Sequence, residues 1–461
     1  MAHASTRRLP AANFLARLTM LIALSFATLA QPAMAQSILR DAETEAVLRD
    51  MSKPLIEAAN LRPEDVNLVL IHDPSINAFV ATGQNVYIHS GLITSADNAN
   101  EVQGVIAHEI GHIAGGHSIR IGEGIRVATG ITLLSLLLGA AAMAAGAGEA
   151  GAGIMAAGQQ MAVHRFLAFS REQESRTDQA GASYLSKAGV SGRGSLAFFE
   201  RLQNQEYRLA IPQDNGYART HPLNRERLAA LEHLYKNDPA WDTPTDPLLE
   251  ARFQRVKAKL SGYVDEPRHT MIRYPETDRS IPARYARAYA WHKSAHPQKA
   301  LAEVESLLAE APDDPYFLEL KGQVLLESGK PREALASLRE AVRLAPDQPL
   351  IASMFGHALI ATEDPQYFEE AKRILRNAVV RDNSNPFAWY QLGIIYDREG
   401  DASRAALATA ERYSLQGQNR LALANAEHAL RGLPTGTADW LRAQDIAMVA
   451  RTEVERERRR R

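Results

Sequence analysis

The sequence predicts a mostly α protein with a small β-hairpin or sheet, built as two unlike parts in series. Three observations carry that. Apolar residues recur at helical spacing through most of the chain. β-rich residues cluster only between about Val66 and Ser90. From about Ser280 a pattern returns every 34 residues, which one compact core would not need. At 461 residues the chain exceeds a single ordinary core, and two or three domains are expected. With 46% hydrophobic and 23% charged residues, the composition is globular.

Residues 1–35 read as an address. Arg7, Arg8 and Arg17 give a positive region, residues 18–30 an apolar run, and Ala33-Met34-Ala35 a small-x-small cleavage site. Cleavage after Ala35 removes three arginines and no acidic residue, so the formal net charge moves from -2 to -5. The chain has no cysteine. An exported chain held by its core alone suits a bacterial periplasm. A mildly acidic mature chain offers no basic field, and nucleic acid is not an expected partner. The arginine-rich end, residues 451–461, reads as a solvated helix terminus. A peripheral contact with anionic headgroups is the minority alternative.

Residues 41–60 carry a helical stripe through Val47, Leu48, Met51, Leu55 and Ile56, which Pro54 can kink or divide. Residues 66–71 read as a strand. Residues 77–91 read as two strands turning at Gly83-Gln84-Asn85, and residues 85–90 are the candidate edge for pairing with an extended peptide. Next comes a helix opened by Asn98 and Glu101 at capping-box spacing, with Val102, Val105, Ile106, Ile110 and Ile113 as its buried side.

That helix carries His108-Glu109-Ile110-Gly111-His112. Residues four apart share a helix face, so both imidazoles can reach one ion. Glu109 is turned about 100° away, beside the ion, where a base for a polarised water belongs. His117 falls one position short of the third histidine of an HExxHxxGxxH site, so it reads as supporting or surface. Residues 127–157 are uncharged except for Glu149. A hairpin dipping into a membrane, a buried helix pair and a mobile gate all fit; an apolar pair or loop acting as a lid is preferred. A second long helix, residues 161–188, brings Glu174 and Asp178 onto one face. Glu174 supplies the missing third ligand of a His₂Glu zinc site, one Zn²⁺ per chain. Asp178 is placed to accept the remaining N–H of a ligating histidine.

This order, His108-Glu-x-x-His112 then Glu174-x-x-x-Asp178, resembles the M48 family of zinc metallopeptidases. The Asn77-Ala-Phe hairpin ending in Ser90-Gly-Leu and the Ser170-Arg-Glu-x-Glu run are similar to it as well. The resemblance implies a zincin-like metalloprotease domain with zinc at His108, His112 and Glu174, and Glu109 as general base. It also implies a role for Thr220-His221-Pro222 and Arg227 against the cleft. His221 would be a gating fourth ligand or a stabiliser of the tetrahedral intermediate, and Arg227 would support that region. Family members with a signal peptide in front and helical repeats behind are periplasmic protease-chaperones. Their likeness implies unfolded or misassembled outer-membrane β-barrel proteins as substrates and the barrel-assembly machinery as partner.

Prolines and charges break the pattern from residue 238, and residues 266–280 read as a linker. Beyond it Ala300 and Ala334 are 34 apart, as are Pro312 and Pro346; Ala371 follows Ala334 by 37. Gly322, Gly356 and Gly393 mark equivalent places. That is the tetratricopeptide signature, and it predicts an α-solenoid in repeats 280–313, 314–347, 348–384 and 385–418, with 419–434 closing the stack. The expected organisation is a signal peptide (1–35), a metalloprotease domain (36–265), the linker, and a tetratricopeptide domain with a basic tail (281–461). The expected function is an exported zinc endopeptidase for unfolded or stalled envelope proteins, with recruitment and chaperone work by the repeats. The alternative is a tetratricopeptide scaffold whose metal site His221 keeps shut.

Overall fold

The computed structural model describes residues 37–460 except 82, 145–146, 210–219 and 222–224. The signal segment and Pro222 therefore lie outside the described residues. Helix α1 (Ala42–Ala58) opens where Asp41 accepts a hydrogen bond from the Thr44 N–H at 2.7 Å. It buries Val47, Leu48, Met51, Leu55 and Ile56. Pro54 lies inside it, and the helix continues to Ala58 undivided.

Strand β1 (Asn67–His72) pairs in parallel with β3 (Asn85–His89), and β2 (Ala78–Val80) pairs with β3 antiparallel. The turn between β2 and β3 uses Gly83 at φ 78°, as expected of the hairpin. The expected edge is corrected. Residues 85–89 form a strand between two others, with Val86 and Ile88 fully buried, so their backbone is already paired. β2 is one of the two edge strands of the four-stranded sheet.

Helix α2 (Ser90–Ser95) leads to α3 (Ala99–Ala114), the metal helix. Asn98 Oδ1 accepts from the Glu101 N–H at 3.0 Å. Glu101 reaches back to the Asp97 N–H, one residue further than a standard box. Its expected apolar side is buried, Val102, Val105, Ile106 and Ile110 completely. Helices α4 (His117–Ala144) and α5 (Gly148–Lys187) form an antiparallel hairpin. α5 starts thirteen residues before the expected 161. Its Gly/Ala-rich first half contacts a neighbour along only one narrow side, so no amphipathic period announces it. Neither a buried pair nor a loop results. Only 11% of the most apolar stretch of Gly122–Ala144 is buried, and residues 127–144 and 148–157 pack chiefly on each other.

The base of α5 crosses α3 at contact distance because small residues meet there. A Cβ on Gly111 would lie 2.9 Å from Thr177 Cγ2, and one on Gly181 would lie 3.2 Å from the Ala107 backbone. Helices α6 (Arg193–Leu209) and α7 (Arg225–Lys236) complete this core with Phe198, Phe199, Leu202 and Leu231.

Helix α8 (Pro247–Val264) leads to α9 (Pro267–Arg273), so the expected linker begins as a helix with Pro267 in its first turn. The solenoid follows as helix pairs in the expected windows. These are α10 (Ile281–Lys293) with α11 (Pro297–Glu310), and α12 (Pro315–Glu327) with α13 (Pro331–Leu344). Then come α14 (Pro349–Ala361) with α15 (Phe368–Arg381), and α16 (Pro386–Arg398) with α17 (Ala402–Leu415). The three extra residues of the third repeat form the 3₁₀ turn Pro365–Tyr367. Gly322 and Gly356 are the close crossings: a Cβ there would reach within 2.3 Å of Leu338 and 2.5 Å of Leu375. The turn inside each of the four pairs holds one residue at positive φ: Ala295, Gly329, Glu363 and Gly400. The stack closes differently from expectation. α18 (Asn419–Gly432) pairs with α19 (Ala438–Arg460), whose Ala443, Ile446, Ala447 and Ala450 are buried against it.

α8 also joins the two parts. Its Lys259, 3% exposed, contacts Asp41 at 2.5 Å and Glu43 at 3.4 Å. Arg255 pairs with Glu43 and, at 2.6 Å, with Asp314, while the Tyr285 hydroxyl donates to Glu43 at 2.8 Å.

Candidate metal centre

The expected site residues converge. One ligand atom each from His108, His112, Glu174 and His221 lies within 4.8 Å of all the others, and all four residues are largely buried. His108 Nε2 stands 3.2 Å from His112 Nε2 and 3.2 Å from His221 Nδ1. Glu174 Oε2 lies 3.3 Å from His108 Nε2 and 3.2 Å from His221 Nδ1, and its Oε1 lies 3.4 Å from His112 Nε2. Metal–ligand bonds of about 2.0–2.1 Å put the corners of a tetrahedron roughly 3.3 Å apart. The donor set therefore fits zinc in spacing and in type.

The surroundings fit as well. Asp178 Oδ1 is 3.0 Å from His108 Nδ1, which leaves Nε2 as the nitrogen turned inward. Arg227 holds Asp178 with two hydrogen bonds and reaches Glu174 at 3.1 Å, so it acts on ligands and their supports. His112 Nδ1 meets His117 Nδ1 at 3.0 Å, and Thr177 Oγ1 meets that same His117 nitrogen at 3.1 Å. His117 thus supports the site without reaching its centre. Thr177 was not singled out by sequence reasoning. Its signal was its spacing, three residues after Glu174, which puts it on the same side of α5.

His221 enters from the segment before α7, and the neighbouring Thr220 hydroxyl donates to Asn77 Oδ1 at 3.2 Å. Its Nε2 is 3.3 Å from the Ala78 carbonyl oxygen of edge strand β2 and 3.4 Å from Glu109 Oε1. Glu109 itself is fully buried, and neither of its oxygens accepts a hydrogen bond among the described residues. Burial raises its carboxyl above the usual range, against the pull of His221 and His108. Burial works against charge on Glu174 too, but hydrogen bonds from His108 and His221 hold it well below the usual range. Burial also opposes a charge on His108, yet Asp178 and Glu174 outweigh it and push that imidazole up to about 10. The pocket is built to attract positive charge.

Residues 41–235 match the profile of peptidase family M48. That segment is a family M48 peptidase domain. The beta-barrel assembly-enhancing protease of Escherichia coli is 25% identical over 294 residues, covering 61% of this chain and 58% of its own. That of Yersinia pestis is 25% identical over 292 residues, with the same coverages. The metalloprotease LoiP of Escherichia coli is 29% identical over 168 residues, 36% of this chain and 62% of its own. The chain thus spans 58% of the length of the assembly-enhancing proteases just named. The solved structure of YrrB, a TPR protein with an unusual peptide-binding site, aligns with 39% of this chain and 92% of its own. Identity there is 22% and the TM-score 0.31. The M48 domain is followed by a tetratricopeptide-like solenoid, an assignment that rests here on the helix pairs themselves.

Proposed function

We propose that this chain is an exported zinc endopeptidase, kept latent by His221, that cuts extended segments of unfolded or stalled envelope proteins. The observation that carries it is the convergence of four donors within 4.8 Å of one another, with the buried carboxylate of Glu109 beside them. His108, His112 and Glu174 would hold the metal, one per chain. Zinc, when bound, would polarise a peptide carbonyl and make a neighbouring water more acidic. Glu109, with its proton affinity raised by burial, takes that water's proton and passes it to the leaving amine. Arg227 and Asp178 keep Glu174 and His108 in register. Edge strand β2, beside the site, offers its free side to an extended peptide, which favours unfolded chains over compact ones.

A second reading is favoured by one observation. His221 Nδ1 occupies the fourth corner that a catalytic site leaves for water or substrate. On that reading the protein works mainly as a tetratricopeptide scaffold or chaperone, and proteolysis follows only when His221 withdraws. The names of the assembly-enhancing relatives support envelope substrates. We carry over from them outer-membrane β-barrel proteins as clients, the barrel-assembly machinery as the solenoid's partner, and the periplasm as location.

The test is cleavage of casein by purified protein with zinc content measured alongside, for wild type and Glu109→Gln. Cleavage by wild type alone, with zinc equal in both, is the expected result. Cleavage that persists in Glu109→Gln sinks the assigned base. No cleavage by either at full zinc occupancy transfers the reading to the scaffold.

A further inference from the structure

We propose that the outer part of the α4–α5 hairpin inserts into an anionic phospholipid bilayer. The inference stands apart from the metal site and does not depend on the peptidase reading.

The first observation is where the apolar surface lies. Leu133, Leu134, Leu136, Leu137 and Leu138 are each 46–70% exposed, and on α5 Ile154, Met161, Val163 and Leu167 are exposed as well. On α4 these leucines spread over an arc of about 200°, at 100° per residue. Ser135 lies outside that arc, and a Cβ on Gly158 would fall 2.0 Å from its Cβ. Outside its seam with α5 the helix from Val127 onward is therefore apolar but for the exposed Thr129. A protein-docking helix presents a stripe; a helix apolar nearly all round is one solvated by a protein core or by lipid. No core surrounds this one.

Polar chemistry along α4 is arranged to match, while α5 keeps two uncharged amides, the exposed Gln159 and Gln160, level with Leu133 and Leu134. Between residues 127 and 164 the only formally charged side chain is Glu149, next to the hairpin's tip. Thr132 and Ser135 donate their hydroxyls to backbone carbonyls one turn back, at 3.0 and 2.8 Å, so neither needs water. From Val127 to Ala144 the helix rises about 27 Å, close to the roughly 30 Å of a bilayer's hydrocarbon core.

The third observation selects the lipid. Contacts of Gly124 with Phe169 and of Gly158 with Ser135 set the hairpin register, which places Arg126 and Arg165 at nearly one level. Arg120 and Arg171 lie about two turns further from the tip. All four are exposed, and none forms an ion pair with a carboxylate among the described residues. An apolar prong ends in a collar of four guanidinium groups against one exposed carboxylate between them, Glu123, a net positive arrangement that anionic headgroups neutralise, at about 1 kcal/mol per basic residue. That free energy is a fivefold change in binding for each arginine. Insertion would also hold α5, and Glu174 further along it, close to the membrane surface.

The absence of cysteine makes a direct test simple. Leu137→Cys carries an environment-sensitive fluorophore into the prong; Val380→Cys, 83% exposed on the solenoid, is the control. With phosphatidylglycerol-containing vesicles, the label at 137 should shift to the blue and be quenched by nitroxides within the bilayer, while the label at 380 does neither. Arg126→Gln and Arg165→Gln should each weaken vesicle binding about fivefold. An unchanged label at 137 overturns the proposal. So does a blue shift that grows with protein concentration without vesicles, which would make a second copy the occupant. Equal binding to phosphatidylcholine vesicles overturns the role of the collar.

Discussion

Arg227 grips Asp178 with a two-pronged hydrogen bond, Nε to Oδ2 at 2.7 Å and Nη2 to Oδ1 at 2.8 Å, both residues about 6% exposed. Asp178 in turn faces His108 Nδ1. A planar fork makes this pairing and an ammonium does not. Arg227→Lys should therefore lose zinc about 10–100-fold more readily in a competition with a chelator. Unchanged zinc affinity would mean that Asp178 keeps its orientation unaided.

His221→Ala should speed cleavage of unfolded substrate while zinc stays bound through three ligands. If the closed arrangement dominates by about tenfold, removing it raises the rate about tenfold. Loss of cleavage with zinc retained would instead give His221 a part in stabilising the transition state.

Gly111 lets α3 and α5 touch. Gly111→Val would drive side-chain atoms into Thr177, at a cost of about 1–3 kcal/mol by overpacking. Because that crossing sets the distance from His108 and His112 to Glu174, zinc affinity should fall together with the melting temperature. A variant that melts lower yet binds zinc normally would uncouple the two.

Glu319, on α12 and 8% exposed, should make stability fall as pH rises. Burial lifts its carboxyl from 4.5 to about 8, against the attraction of Lys259, and Asp41 and Glu43 add repulsion. Between those values the unfolded chain has released the proton and the folded chain keeps it. Stability is thus lost progressively from about pH 4.5 to about pH 8. Glu319→Gln should remove that loss, leaving a protein more stable at pH 8 by an amount on the order of a few kcal/mol and unchanged near pH 4. Parallel denaturation curves at both pH values for the two proteins would refute it.

Ala295 and Glu363 hold left-handed backbone at φ 59° and 57°, where Gly329 and Gly400 serve in the other repeats. A side chain there costs about 1–2 kcal/mol, and the freedom glycine gains on unfolding returns about half of that. Ala295→Gly and Glu363→Gly should each raise stability by somewhat less than about 1 kcal/mol, as read from denaturation midpoints. A decrease would show that context in these turns has already relieved the strain.

The helical half of the site was legible because a helix turns spacing into direction. His108 and His112, and Glu174 and Asp178, could be placed on shared faces from their numbers alone. His221 could not, since the segment before α7 has no period, and only the family resemblance singled it out. The central position of β3 was hidden for a similar reason. Its parallel partner begins at Asn67, 18 residues earlier, and nothing local in 85–89 reports that pairing. The last helix was a different failure. Ala443, Ile446, Ala447, Ala450 and Val454 have helical spacing, but the arginines after them drew attention to the end and away from the stripe.

The charges gathered around Lys259 have a consequence for how this protein can be divided. Asp41 and Glu43 come from the first helix of the peptidase part, Asp314 and Tyr285 from the solenoid, and α8 stands between them. A chain cut after Val264 would cost Glu43 its hydrogen bond from Tyr285 and Arg255 its ion pair with Asp314, and would open Tyr285's place to water. The peptidase is therefore no cassette that could be lifted out and spliced elsewhere. The two parts share a keystone, and a pull on one is felt by the other.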